Sequence, residues 1–375
     1  MHLQQEYKGW LFEIGYTHNK TYGIYQDRNG NLPSFDLWKQ LRAPRFDATG
    51  RPMDRLLWDE LVPNPFLGLA GVTGSTVTNQ NLSFHQFLRP VTILGDMTRN
   101  LNPEGKNQYD AMLVKVEHRF KNGFSLITAF TWSKLFEDTS FIGPEIAGKV
   151  EHKLGGEDRP MHLSIAPIWQ VPIGRGKKLG TDMHKALDFL VGGWQISGQY
   201  NLQSGVPVVF NATDSFFFDG QNFALSGDQR TLDRWFDTAH FYRFPDRNCD
   251  AACLAAYPSW TGVLNLPGYS WRPASASDAS KNGVYQDFGN YVRTIPTRWG
   301  SVRASRVNGL DLGISKNFKF KERLKIQYRF ETFNAFNHPR FAAPNANPTS
   351  GSFGRVDKTQ QNNARLVQMG LKISF

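Results

Sequence analysis

The chain has 375 residues, room for a large core or two ordinary domains, with a formal net charge of +10 and two cysteines. No apolar run approaches the ~20 residues of a spanning helix. The scattered lysines and arginines form no nucleic-acid recognition motif, and the nine histidines build no H-E-x-x-H or comparable catalytic signature.

Aromatic residues reach 14%, an enrichment that suits rings at a membrane or ligand interface. The negative mean hydropathy is compatible with a transmembrane barrel, whose strands are half apolar and whose loops are polar. Solubility is the bland reading of the charge. The opening MHLQQEYKGW lacks the apolar centre of a signal peptide. The expectation is therefore a cytoplasmic protein or a chain without its true beginning.

Glu6 to Thr17 is the first predicted strand, with Trp10, Phe12, Ile14 and Tyr16 on one face. Asn19 to Asn107 is predicted to be long and irregular, broken by seven prolines, with one short helix near Met53 to Leu61. Met112, Val114, Val116, His118 and Phe120 then alternate with charged residues. Lys121-Asn122-Gly123 is a hairpin signal, and Phe124 to Ser133 alternates again. Lys134 to Pro160 reads as a loop. Leu163, Ile165, Pro167 and Trp169 form the next apolar face, although a central strand disfavours proline. Val171 to Val191 holds PIGRGKKLG and a helix-like piece, Met183 to Leu190. GRGKK lacks the spacing of a phosphate loop and reads as a basic turn.

Gly193 to Gln203 alternates cleanly, and Val206 to Asn211 adds an extended piece. Ala212 to Val307 is predicted to be irregular and aromatic. It contains Cys249 and Cys253, whose spacing is a weak zinc signal and suggests a small disulfide loop, with unpaired thiols as the alternative. Leu310, Leu312, Ile314 and Phe318 form another apolar face, followed by a turn at Phe320–Glu322 and a strand from Leu324 to Thr332. After the loop Phe336–Asn363 comes the last strand. Val367, Met369, Leu371, Ile373 and Phe375 fall on one face and mostly polar residues on the other. A strand that ends on the chain's final residue is expected to pair on both edges, as in a closed barrel.

About eight strands emerge, each near the ~9–11 residues of a tilted transmembrane strand. Short connections at 121–123 and 320–322 fall on one side and long ones on the other, with 171–191 the longer exception on the short side. That asymmetry marks an outer-membrane barrel. Trp169, Trp194, Phe318 and Phe375 near the lower ends, with Trp132 and Tyr16 near the upper, suit interfacial girdles. A soluble β-sandwich would bury these rings in its core instead.

No catalytic constellation stands out. Glu157-Asp158-Arg159 reads as a solvated charge cluster, and His338, before Pro339, as turn chemistry rather than a metal ligand. Glu117, Asp311 and Glu331 fall on the polar face, where Lys115, Arg119, Lys325 and Arg329 are expected to pair with them.

The segments YDAMLVKVEHRFKNGFSLITAFTWSK, GEDRPMHLSIAPIWQVPIGRGKK, GGWQISGQYNLQSGVPVVF, LDLGISKNF, RLKIQYRFETFNAFNHPRF and SGSFGRV resemble the barrel of the TonB-dependent, Oar-like outer-membrane receptors. The strand ending at Phe375 resembles their C-terminal membrane-insertion signal. The likeness implies an all-β, antiparallel up-and-down transmembrane barrel segment with long extracellular loops, located in the outer membrane. Implied partners are outer-membrane lipid and lipopolysaccharide, the barrel-assembly machinery and an unidentified large substrate. Neither cofactor nor nucleic acid is implied. Such receptors also carry a plug, an energy-coupling box and a signal peptide, and their barrels have roughly 22 strands. None of those segments is visible in residues 1–375, so the expectation is the C-terminal part of a receptor, whose TonB contact would run through a plug outside this sequence. Uptake, non-transport surface adhesion and a soluble β-rich carbohydrate-binding module are the three functions the sequence leaves open.

Overall fold

The computed structural model describes residues 1–42, 48, 57–141, 145–210, 217–218, 222–243, 272–273, 296–320, 324–347 and 350–374. One antiparallel sheet dominates them. Nine strands follow each other in chain order: β1 (His2–Tyr7), β2 (Trp10–Asn29), β3 (Thr98–Lys121), β4 (Phe124–Asp138), β5 (Met161–Gln170), β6 (Trp194–Gln203), β7 (Val307–Phe320), β8 (Leu324–Phe333) and β9 (Leu366–Ser374). The short strand Lys153–Leu154 adds a tenth beside β4. This is the up-and-down barrel segment that the alternation predicts. The expected double pairing of the last strand is not seen: among the described residues β9 pairs only with β8, and β1 only with β2.

The register places the apolar residues of every strand on one face. Phe124, Trp169, Ile196, Ile314, Phe330 and Met369 form a single cross-strand row over six strands. Ile14, Val114, Phe130, Leu163 and Leu202 form another. Nothing packs over these rows: Ile14 is 46% exposed, Trp132 59% and Met369 68%. A continuous apolar surface of this extent is far larger than a soluble monomer tolerates in water, so it is a surface built for hydrocarbon. The sandwich alternative needs a second sheet over that face, and the exposure removes it.

Several predicted boundaries move. The first strand is a hairpin, because Lys8 (φ +50°) and Gly9 (φ +84°) form a two-residue turn that sets Tyr7 opposite Trp10. Asn122 (φ +53°) and Gly123 (φ +84°) make the predicted turn between β3 and β4. The irregular span Asn19–Asn107 is shorter than expected, since β2 runs on to Asn29 and β3 begins at Thr98. In that part both faces are wet, so the alternation that betrays a strand disappears, and three register shifts between Tyr22 and Arg28 blur it further. β4 likewise continues to Asp138, inside the predicted loop.

Near the predicted helix at Met53–Leu61, the described residues hold only one 3₁₀ turn, Leu57–Asp59. The helix of that loop is α1 (Phe35–Leu41), capped by Ser34, whose hydroxyl accepts from the Leu37 amide at 3.3 Å. Pro167 sits in an interior strand after all. Its missing N–H falls where the β5–β6 ladder skips from Ile165 to Ile168, and Gly198 lies across from it with no side chain to clash.

Short connections at Lys8–Gly9, Asn122–Gly123 and 321–323 lie at one end of the sheet, and the long ones at the other. The exception, 171–193, carries α2 (Lys185–Val191), close to the predicted helical piece. Lys316, which interrupts the apolar face of β7, is 4% exposed under this connection. Its ammonium donates to the Leu190 and Gly192 carbonyls at 2.7 and 2.9 Å, at the C-terminal end of α2, and lies 4.7 Å from the Trp194 ring centre. Cations are favoured at a helix C-terminus, so one buried lysine fastens the short side to the wall.

Candidate functional site

The polar face carries a charged row on β2 and β3. Lys115 bonds Glu117 at 2.8 Å and lies 3.9 Å from Glu13, and Arg119 lies 4.0 Å from Glu117. Glu13, Thr17, Leu113, Lys115 and Thr131 line a hollow of about 470 Å³ beside it. Farther along, Gln368 donates to Glu331 at 2.6 Å, Arg329 to Gln327 at 2.6 Å, and Gln327 to Asn317 at 2.9 Å. The expected ion pairs therefore form at Glu117 but not at its counterparts. Glu331 takes a neutral amide, and Asp311 accepts the Asn334 backbone N–H at 2.8 Å. Hydrogen bonds within the wall satisfy these carboxylates.

Above the long-loop end stands a folded cap with its own core. Phe210, Phe223, Phe236, Phe241 and Phe353 are all at most 3% exposed, with ring centres 5.1 to 6.0 Å apart among their contacts. Edge-to-face geometry predominates, as the ring quadrupoles prefer. Phe353 belongs to the 334–365 connection and the other four to the 204–306 connection, so the cluster joins two loops. Pro207–Val209 pairs with Arg298–Arg303 beside it.

Buried charges tie the cap to the wall. Arg298 bonds Glu137 on the polar face of β4 and donates to the Leu154 carbonyl at 2.9 Å. Arg303 donates to the Asp158 carboxylate at 2.7 Å. Glu151, 2% exposed, accepts from the Thr297 amide at 2.5 Å and lies 3.4 Å from Lys153. These are paired, hydrogen-bonded charges, the form in which charge survives burial. The expected solvated cluster Glu157-Asp158-Arg159 is corrected here: Asp158 is 1% exposed, while only Glu157 and Arg159 form a surface pair.

FNAFNHPRF closes the wall. Asn334 (φ +51°) donates from its side chain to the His338 and Asn363 carbonyls, and Asn337 (φ +53°) accepts from the Arg365 amide at 2.9 Å. His338 approaches the Asn308 carbonyl through Nδ1 at 3.3 Å. Its neighbours are amides and arginines around a pocket of about 340 Å³, with Asp311 the one carboxylate in that lining. The motif pins the end of β8 to the start of β9.

Of the residues singled out in the sequence, Val367, Met369, Leu371 and Ile373 share the exposed apolar face of β9. Phe375, Cys249 and Cys253 lie outside the described residues. The cap's ion pairs escape sequence reasoning because their partners are far apart in the chain. The only local signal is a run of aromatic residues in loops, where no strand periodicity accounts for them.

A sheet with one lipid-ready face, one polar face, short turns at one end and folded loops at the other defines an outer-membrane β-barrel protein. The family model of the outer membrane beta barrel domain matches residues 1–368, and the chain belongs to that family and to the outer membrane. Among solved structures, it is similar to the outer membrane transporter YddB from Escherichia coli at 8% identity and a TM-score of 0.32. That match covers 99% of this chain and 30% of the transporter, so the chain spans less than a third of that protein's length. No curated protein matches.

Proposed function

We propose that the chain forms part of the wall and outer cap of a TonB-dependent, Oar-like receptor that takes up a large substrate. The observation that carries this reading is the cap. Its loops are not loose: they share an aromatic core and are bolted through Arg298 to Glu137, on the polar face of the wall. A rigid platform over a polar passage suits capture followed by transfer along that passage. The wall contributes no reaction chemistry in this proposal, because its carboxylates are held by neighbours rather than free to act. Lipid does not tolerate open strand edges, so in the working receptor further strands cover β1 and β9. The energy-coupling complex would act through a plug, and the assembly machinery would read the apolar face of β9.

Uptake by cells expressing the intact receptor tests this. Loss of uptake in a strain lacking the energy-coupling complex, with surface binding retained, is the expected result. Uptake that continues unchanged in that strain overturns TonB dependence. Surface binding with no uptake even when the complex is present replaces transport by adhesion.

A further inference from the structure

The apolar face ends, at its upper rim, in a groove of about 970 Å³ on the outside of β2, β3 and β4. Ile14, Tyr16, Met112 and Trp132 line it, and Lys134 stands at its top. The rows above the two rings hold three lysines on the same outward face. Lys134 shares a row with Asp110 and His18, Lys20 sits in the next with Gln108 and Phe136, and Lys106 in the next with Tyr22 and Asp138. At strand spacings of about 4.8 Å and same-face spacings near 7 Å, their Cα atoms lie about 8 to 14 Å apart. Long, flexible lysine stems can converge from there.

The charge balance on this patch is uneven. Each carboxylate is already engaged: Asp110 by Tyr16, His18 and Gln108 at 2.6 to 2.8 Å, Asp138 by His152 at 2.6 Å, and Glu104 by Arg28. The three ammonium groups form no ion pair among the described residues. Lys20 and Lys134 instead rest over the rings of Tyr22 and Phe136, at 5.3 and 5.8 Å. The patch is therefore cationic and lies directly above an apolar groove, on the long-loop side that faces the cell exterior in barrels of this kind.

We propose that this patch binds a phosphorylated glycolipid of the outer leaflet, with acyl chains along Ile14, Met112 and Trp132 and phosphates against Lys20, Lys106 and Lys134. Lysine is a point-charge donor suited to phosphate, and its spread over three strands suits a headgroup bearing more than one. The site rests on the assignment of the apolar face to lipid, not on transport.

The test is native mass spectrometry of the detergent-purified protein titrated with a bisphosphorylated outer-leaflet glycolipid, its dephosphorylated form, phosphatidylglycerol and inorganic phosphate. The bisphosphorylated lipid should bind at least tenfold tighter than the other three. Each of Lys20→Gln, Lys106→Gln and Lys134→Gln should weaken it about fivefold, with heat-modifiable migration unchanged as the folding control. Equal binding of the dephosphorylated lipid, of phosphatidylglycerol or of free phosphate overturns the assignment, as does a triple variant that binds like the parent. Should Leu371→Arg insert as well as the parent, the lipid-facing assignment itself fails, which separates that failure from one of the lysine patch alone.

Discussion

Arg303 holds Asp158 twice, donating to its carboxylate and to its backbone carbonyl, each at 2.7 Å, across 145 residues of chain. The Asp158 side chain is fully shielded from solvent and also accepts the Leu135 amide at 2.8 Å. Arg303→Leu leaves a buried carboxylate without its cation, a change that costs about 3–5 kcal/mol. Hydrogen exchange at residues 150–158 should speed up while the wall strands stay protected. The double variant with Asp158→Leu should recover a large part of the loss, because replacing both partners removes the stranded charge. Equal damage in the single and double variants would count against the pair.

Phe236 is wholly buried among Phe210, Phe223, Phe241 and Phe353. Phe236→Ala should cost the cap about 3–5 kcal/mol through lost contacts and a cavity. Loops 204–306 and 334–365 should become protease-sensitive together, since the cluster joins them. Heat-modifiable migration should be kept, because the wall does not use these rings. Cleavage confined to one loop would show that the two are not a single unit.

The two faces of β9 make opposite predictions. Arginine at Leu371 faces hydrocarbon and should cost about 2–4 kcal/mol near the bilayer midplane. Arginine at Gln368, which pairs with Glu331 on the polar face, should insert normally. Phe375→Lys is expected to impair insertion on sequence grounds, as the terminal residue of the same alternating strand. The fraction of each variant reaching the outer membrane in heat-modifiable form checks all three, and equal insertion of Leu371→Arg and Gln368→Arg would reverse the assignment of faces.

The loop between β2 and β3 has a titratable core. Burial pushes the His85 imidazole below its ordinary pKa, against the opposing pull of its bond to the Trp58 carbonyl at 3.0 Å. Its ring stacks on Trp58 with centres 4.9 Å apart. A lowered histidine means that the folded loop binds fewer protons than the unfolded one, so loop stability falls as pH drops below about 6.5. Asp96 is held below the usual carboxylate range by its bond from Arg89, and that contribution is lost only at pH values below about 4. Trp58 fluorescence followed against pH should show the first step, and His85→Phe should abolish it. A step of unchanged midpoint in that variant would assign it to another group.

Much of the wall was legible in the sequence, and the reason is specific. A bilayer-spanning strand must alternate, so Trp194–Gln203, Leu324–Phe333 and Leu366–Ser374 announce themselves within ten residues or so. Where strands rise above the membrane, as β2 does past Tyr22, water meets both faces and the signal fades. The Lys8-Gly9 turn was overlooked because alternation seems to resume across it.

The order of apolar and polar side chains, together with loop lengths, determined by itself that this is an outer-membrane barrel wall and which way its faces point, because that information is local and repeats every second residue. Pairings such as Arg303 with Asp158, Arg298 with Glu137 and Lys316 with the end of α2 were decided only by the tertiary structure. Each joins residues more than a hundred positions apart, and no periodicity within a segment records which distant charge will arrive to neutralise it.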